Sequence, residues 1–145
     1  MRWLIERNAV EQAVRLGGVL YPMWVYGGYL TEGRAHLRTL LTLPGASGAA
    51  SDWAQLNWSG GYVEFFAGEY AEARARLERA VAVRRTLGDQ VGLAGALSYL
   101  GQAAREQADY EPARAWLDES LALFQNLGDE LRDAGPPRDD RPSAG

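Results

Sequence analysis

The sequence contains no cysteine and no lysine, and it has one histidine, His36. Without cysteine there is neither a disulfide framework nor a thiolate metal site, and a reducing compartment is the expected home. Without lysine no Walker-type phosphate loop can be completed, because that loop needs a lysine after its glycines to reach the phosphates. The glycine-rich "YGGYLTEG" therefore reads as a turn between helices. A single histidine cannot build a two-histidine metal site, and the serines have no second histidine to serve as a general base. Glu32, one turn away on the same helix face, is expected to form a simple surface pair with His36. No apolar run approaches the roughly 20 residues a bilayer span requires, and "MRWLIERNAV" lacks the basic-then-apolar order of a secretory signal. The expectation is a cytoplasmic protein, not an enzyme, with no catalytic residue, no cofactor and no metal.

Positive charge is also in short supply. The net charge is -4, whereas proteins that bind nucleic acid directly usually carry a basic patch or stripe. All fifteen basic residues are arginine, which together with abundant alanine and glycine reads as a coding bias rather than as chemistry. The local exception is "RARLERAVAVRR", with Arg74, Arg76, Arg79, Arg84 and Arg85 on one predicted helix. Glu72 and Glu78 alternate with them, so the segment reads as a solvated face.

What the sequence does have is repetition. "GEYAEARARL" at 68–77 returns as "ADYEPARAWL" at 108–117, forty residues on, and "TLGDQ" at 86–90 returns as "NLGDE" at 126–130. A step of forty in the other direction reaches "GYLTEGRAHLRTLL" at 28–41, where Gly28, Glu32, Arg34, Ala35 and Leu37 answer Gly68, Glu72, Arg74, Ala75 and Leu77. Three copies at this period indicate a repeat architecture. Their spans are about 14–43, 53–87 and 90–127, within one domain over 1–130.

Apolar spacing shows two helices in each copy. Tyr110, Ala113, Leu117, Leu121, Phe124 and Leu127 step by three or four, and Tyr70, Ala73, Leu77, Val81 and Leu87 repeat that stripe. Upstream, Leu93, Leu97, Leu100 and Ala104 mark a second amphipathic helix, with "ADY" or "GEY" as the tight turn between the two. "LGD" is expected to end each pair, its glycine taking the left-handed position after a helix and its aspartate capping the next. A pair of this size cannot bury its stripe alone and must stack on neighbours. The fold class is therefore all-α, an α-solenoid of antiparallel helix pairs with about three repeats.

The string "ALSYLGQAAREQADYEPARAWLDESL" resembles the tetratricopeptide repeat, with Leu100-Gly101 on the first helix and Ala113, Leu117 and Ser120 on the second. The second copy keeps Gly61, Ala73, Leu77 and Ala80, while the first has Tyr21 at the glycine and Gly33 at the alanine. The forty-residue period exceeds the roughly 34 of that motif. The order of the pieces over about residues 2–130 resembles the helical region of large bacterial signal-transduction ATPases and LuxR-type transcriptional regulators. That likeness implies a sensor or scaffold arm rather than a motor.

The tetratricopeptide resemblance implies that the first helix of each pair lines a concave, protein-binding face. On that helix the second copy offers Trp58, Tyr62 and Phe65, the first offers Val19, Pro22 and Tyr26, and the third offers Ser98, Gln102 and Arg105. Such a groove runs from aromatic to polar and suits an apolar or aromatic peptide segment with a polar end. The alternative is that these rings only pack against the neighbouring first helix. The basic and asparagine residues of the family's chaperone-tail clamp are not at the matching positions, so acidic chaperone tails are not the expected ligand. Pro22 falls inside a predicted helix, where it should remove a hydrogen bond and kink the chain.

After Asp129 the pattern calls for a fourth first-type helix, which "ELRDAGPPRDDRPSAG" stops within a turn or two. Residues 131–145 are expected to form a disordered tail. With no capping helix, the last pair would expose part of Leu117, Leu121 and Phe124, so the expectation is either a fragment of a longer stack or an open end that pairs with another copy as a homodimer. "PGASGAASD" at 44–52 reads as a loop between pairs, with Asp52 as the cap of the next helix.

Overall fold

The computed structural model describes residues 2–134. Among them run seven helices: α1 Arg2–Val19, α2 Tyr21–Tyr26, α3 Leu30–Leu41, α4 Ala50–Phe66, α5 Tyr70–Leu87, α6 Gln90–Glu106 and α7 Tyr110–Ala134. Each second helix packs back on its own first helix, α4 with α5 and α6 with α7, and α5 then packs on α6. This is an all-α helical repeat solenoid.

The reason the helices stack is visible in their faces. α4 is buried nearly all round, with Ala54, Leu56, Gly60, Gly61, Tyr62 and Val63 enclosed by α1, α2, α3 and α5. Val14, Trp24, Leu37, Ala46, Leu56 and Val63 form one core cluster. Ala73, Leu77, Leu100 and Ala103 form the next, with Trp58, Val81, Tyr99 and Trp116 around it.

The period of forty also governs the turns. Gly28, Gly68 and Ala108 precede α3, α5 and α7, with φ of 83°, 82° and 60°. Gly88 ends α5 in the left-handed region at φ 70°, its N–H donating to the carbonyls of Arg84 and Arg85. Asp89 then caps α6 by accepting from the N–H of Gly92 at 3.0 Å.

Three local expectations are corrected. Pro22 does more than kink its helix, because the missing N–H falls where the chain restarts: α1 stops at Val19 and α2 begins at Tyr21 with the proline in its first turn. Asp52 is not the cap of α4. Ala49 holds that position without a side-chain bond, while Asp52 lies in the first turn and accepts from Arg15 at 3.4 Å. The second "LGD" does not end a helix, since α7 continues through Gly128 to Ala134. Glu130, Leu131, Arg132 and Ala134 are good helix formers and carry it onward, so residues 131–134 belong to α7. The rest of the expected tail, residues 135–145, lies outside the described residues.

Candidate functional site

Where α2, α4 and α6 meet, seven aromatic side chains converge. Tyr21 of α2 stands edge-on to Trp58 at 4.7 Å and to Tyr62 at 5.0 Å, and Trp58 stacks on Tyr62 at 5.2 Å. Tyr99 of α6 meets Tyr62 at 5.1 Å and Phe65 at 5.6 Å, and Phe66 closes on Tyr62 at 4.7 Å. Edge-to-face and offset pairs at these separations contribute beyond their buried area.

Tyr62 is the hub and is 4% exposed. Its hydroxyl forms a hydrogen bond with that of Tyr26, which reaches across from the end of α2 and is itself 72% exposed. Burial, then that bond, pushes the Tyr62 phenol far above its ordinary value of 10.0, and burial also raises Tyr99. Both rings stay protonated and neutral over the physiological range. The expectation that Tyr62 lines an open groove is corrected on one point: its ring is enclosed by neighbouring helices, because Tyr21 and Tyr99 both pack against it.

Of the expected groove residues, the structure brings Tyr26, Trp58, Tyr62 and Phe65 into this cluster. Val19 is exposed beside a cleft of about 490 Å³ that it shares with Tyr21, Pro22, Gln55 and Arg84. Gln102 is half-buried and donates to Ser98 Oγ at 3.2 Å. Arg105 is exposed and lines a different hollow, with Tyr110, Arg114 and Leu117. Among the expected self-association residues, Leu117 is half-buried against α6, while Leu121 and Phe124 are exposed.

Sequence reasoning missed Tyr21, Phe66 and Tyr99. In the sequence Tyr21 stands out only as a departure from a glycine, and Tyr99 stands next to Ser98, one position off the expected register. Phe66 lies four residues beyond Tyr62, a spacing that places both on one helix face.

Charge is also arranged differently from a solvated surface. Arg84 is buried, donating to Gln55 Oε1 at 2.6 Å and to the Gly92 carbonyl at 2.9 Å, with its guanidinium 5.8 Å from the Trp58 ring centre. Burial lowers its pKa, against the pull of Asp89. Arg74 also turns inward, 5.4 Å from the Trp116 ring and 3.0 Å from Asp109. On the far side of α4, buried Glu64 sits 3.0 Å from Arg34 and 3.3 Å from Arg38, and Arg38 continues to Glu72 at 2.8 Å. Burial raises the Glu64 carboxyl pKa, while the two arginines oppose that rise. His36 stacks on Trp24 with ring centres 6.2 Å apart, so its partner is that ring rather than Glu32.

No cluster of three or more metal-ligating side chains occurs among the described residues. No helix among them is long and apolar enough to cross a membrane. What the arrangement offers is a rigid aromatic wall with exposed rims at Tyr26 and Phe66. Such a wall can hold an apolar side chain without itself reorganising.

Residues 55–126 match the family described as Tetratricopeptide repeat. The match covers α4 from its second turn through most of α7. No curated protein matches the chain.

Proposed function

We infer that this chain, with tetratricopeptide repeats across residues 55–126, is a noncatalytic protein-interaction module, and that it captures an apolar or aromatic segment of a partner protein. Repeats of this family generally mediate contacts between proteins. The observation that carries the reading is the aromatic cluster shared by three helices, with Tyr26 and Phe66 open at its rim. Aromatic anchors pre-ordered by their neighbours lose little entropy on binding. The wider setting is the sensor or scaffold arm of a bacterial signalling or transcriptional regulator, a reading supported by the order of helix pairs alone.

The experiment is selection from a displayed random-peptide library on the intact chain, followed by titration of the selected peptides. Peptides rich in aromatic or aliphatic residues should emerge, and Tyr26→Ser with Phe66→Ser should abolish their binding while the helical circular dichroism is unchanged. Binding that survives both substitutions would place the interaction elsewhere and end this reading.

A further inference from the structure

α7 carries two apolar stripes, one packed on the stack along its length and the other covered by α6 only at Leu117. Ala113, Trp116, Ser120, Leu123 and Leu127 turn toward the body of the stack, with Ser120 donating to the Ala94 carbonyl of α6 at 2.7 Å. One position round the helix run Tyr110, Arg114, Leu117, Leu121, Phe124, Gly128 and Leu131, in alternating steps of four and three. That alternation is the a/d seam of a coiled coil. Along it Leu121 is 57% exposed, Phe124 48% and Leu131 74%. Forty residues earlier, Leu77 and Val81 on α5 stand where Leu117 and Leu121 stand on α7, and there they pack into the cluster that α6 completes.

We propose that the outer seam of α7 pairs antiparallel with the same helix of a second copy of this chain, about a two-fold axis at Leu121. Charge selects the orientation. A parallel pair would set Arg114 against the partner's Arg114 and Glu111 against the partner's Glu111. Centred on Leu121, the antiparallel pair sets Arg114 beside the partner's Gly128 and the partner's Asp129, and Glu111 beside the partner's Arg132. Both matches are duplicated by the symmetry, as a two-fold contact requires. Leu117 then meets the partner's Phe124. The hollow of about 450 Å³ bounded by Arg105, Tyr110, Arg114 and Leu117 lies where the partner's Leu131 arrives.

Two other occupants fit the structure less well. A further repeat helix folding back on α7 needs the chain to reverse at Gly128 as it does at Gly88. Gly88 is left-handed, but Gly128 stays helical and delivers Leu131 to the seam. The segment "GPPRDDRPSAG" at 135–145 contains no large apolar side chain with which to cover it.

The test is sedimentation velocity of the full chain over a range of concentrations. A concentration-dependent dimer is expected. Leu121→Glu brings two like charges together at the axis, where such a clash costs several kcal/mol, so it should raise the dissociation constant at least ~100-fold. Leu121 is exposed, so circular dichroism of that variant should match the wild type, and its thermal melting should match that of the wild type at concentrations too low for the dimer to form. Arg114→Glu should weaken the dimer a few-fold, and adding Asp129→Arg should restore it. Because the chain lacks cysteine, orientation can be read from a short bis-maleimide. Arg114→Cys protein mixed with Gly128→Cys protein should cross-link, while Arg114→Cys alone should not, its two copies being roughly 21 Å apart along the pair. A monomer at every concentration, or a dimer indifferent to Leu121→Glu, overturns the proposal. Efficient cross-linking of Arg114→Cys with itself overturns the antiparallel arrangement.

Discussion

A methyl group on Gly61 would fall 2.5 Å from Leu77 Cγ, and one on Gly101 would fall 2.6 Å from Leu117 Cγ. The same contact thus recurs forty residues apart, once in each complete helix pair. It explains why a glycine persists in the middle of two well-formed helices despite its entropic cost. Gly101→Ala gains about 1 kcal/mol in helix propensity but forces Leu117 off its rotamer or spreads α6 from α7, for a cost of about 1–3 kcal/mol. A net loss is expected in urea denaturation. Leu117→Ala in the Gly101→Ala background should cost less than Leu117→Ala alone, because the added methyl occupies part of the space vacated. Equal costs would mean that the two residues do not share that space.

Ala108 occupies the turn position that Gly28 and Gly68 occupy in the earlier copies, yet its φ is 60°. For a residue with a Cβ this region costs roughly 1–2 kcal/mol, and glycine gives back part of the gain through its freer unfolded chain. Ala108→Gly is therefore expected to raise stability by up to about 1 kcal/mol. A thermal melt reads the change, and a lower midpoint would show that Ala108 carries no strain.

The period of forty and the helix pairs were legible in the sequence because they depend on spacing that the copies repeat, and the small-residue contacts because the last two copies share them. The site was legible only in part. Tyr26, Trp58, Tyr62 and Phe65 could be placed on the right helices, but which rings would be enclosed depends on the neighbouring helices. Tyr21 and Tyr99 enter Tyr62's surroundings from α2 and α6, respectively 41 and 37 residues away in "YPMWVY" and "QVGLAGALSYLGQAARE". The arginines misled for a related reason. In "RARLERAVAVRR" nothing local distinguishes Arg84, which is buried against Trp58, from Arg85, which reaches Glu119 at 2.6 Å on an exposed surface.

That adjacent pair supplies a direct comparison. Arg85→Ala removes an exposed ion pair, which contributes about 0–1 kcal/mol. Arg84→Ala empties a buried site and leaves the Gln55 side chain and the Gly92 carbonyl without their donor, for an expected loss of about 2–4 kcal/mol. Denaturant titrations of the two variants should differ by more than twofold in lost stability. Similar losses would show that Arg84 is solvated after all.

The hydrogen bond between Tyr26 and Tyr62 predicts a pH dependence on the alkaline side. The Tyr62 phenol is raised in the fold relative to its ordinary value of 10.0, so its contribution to stability is complete below pH 10. Above that, the unfolded chain gives up the proton and the folded chain keeps it, so stability falls by about 1.4 kcal/mol per pH unit until the folded phenol titrates too. Tyr99 is raised in the same direction, so the wild type alone cannot isolate Tyr62. Tyr62→Phe can. At neutral pH it should be less stable by about 1 kcal/mol, through loss of the bond to Tyr26. Above pH 10 the wild type should lose stability faster than the variant, and their urea midpoints should converge and then cross. Parallel curves from pH 8 to 11 would mean that Tyr62 ionises as freely in the fold as in the open chain, contrary to its enclosure by Tyr21, Trp58 and Tyr99.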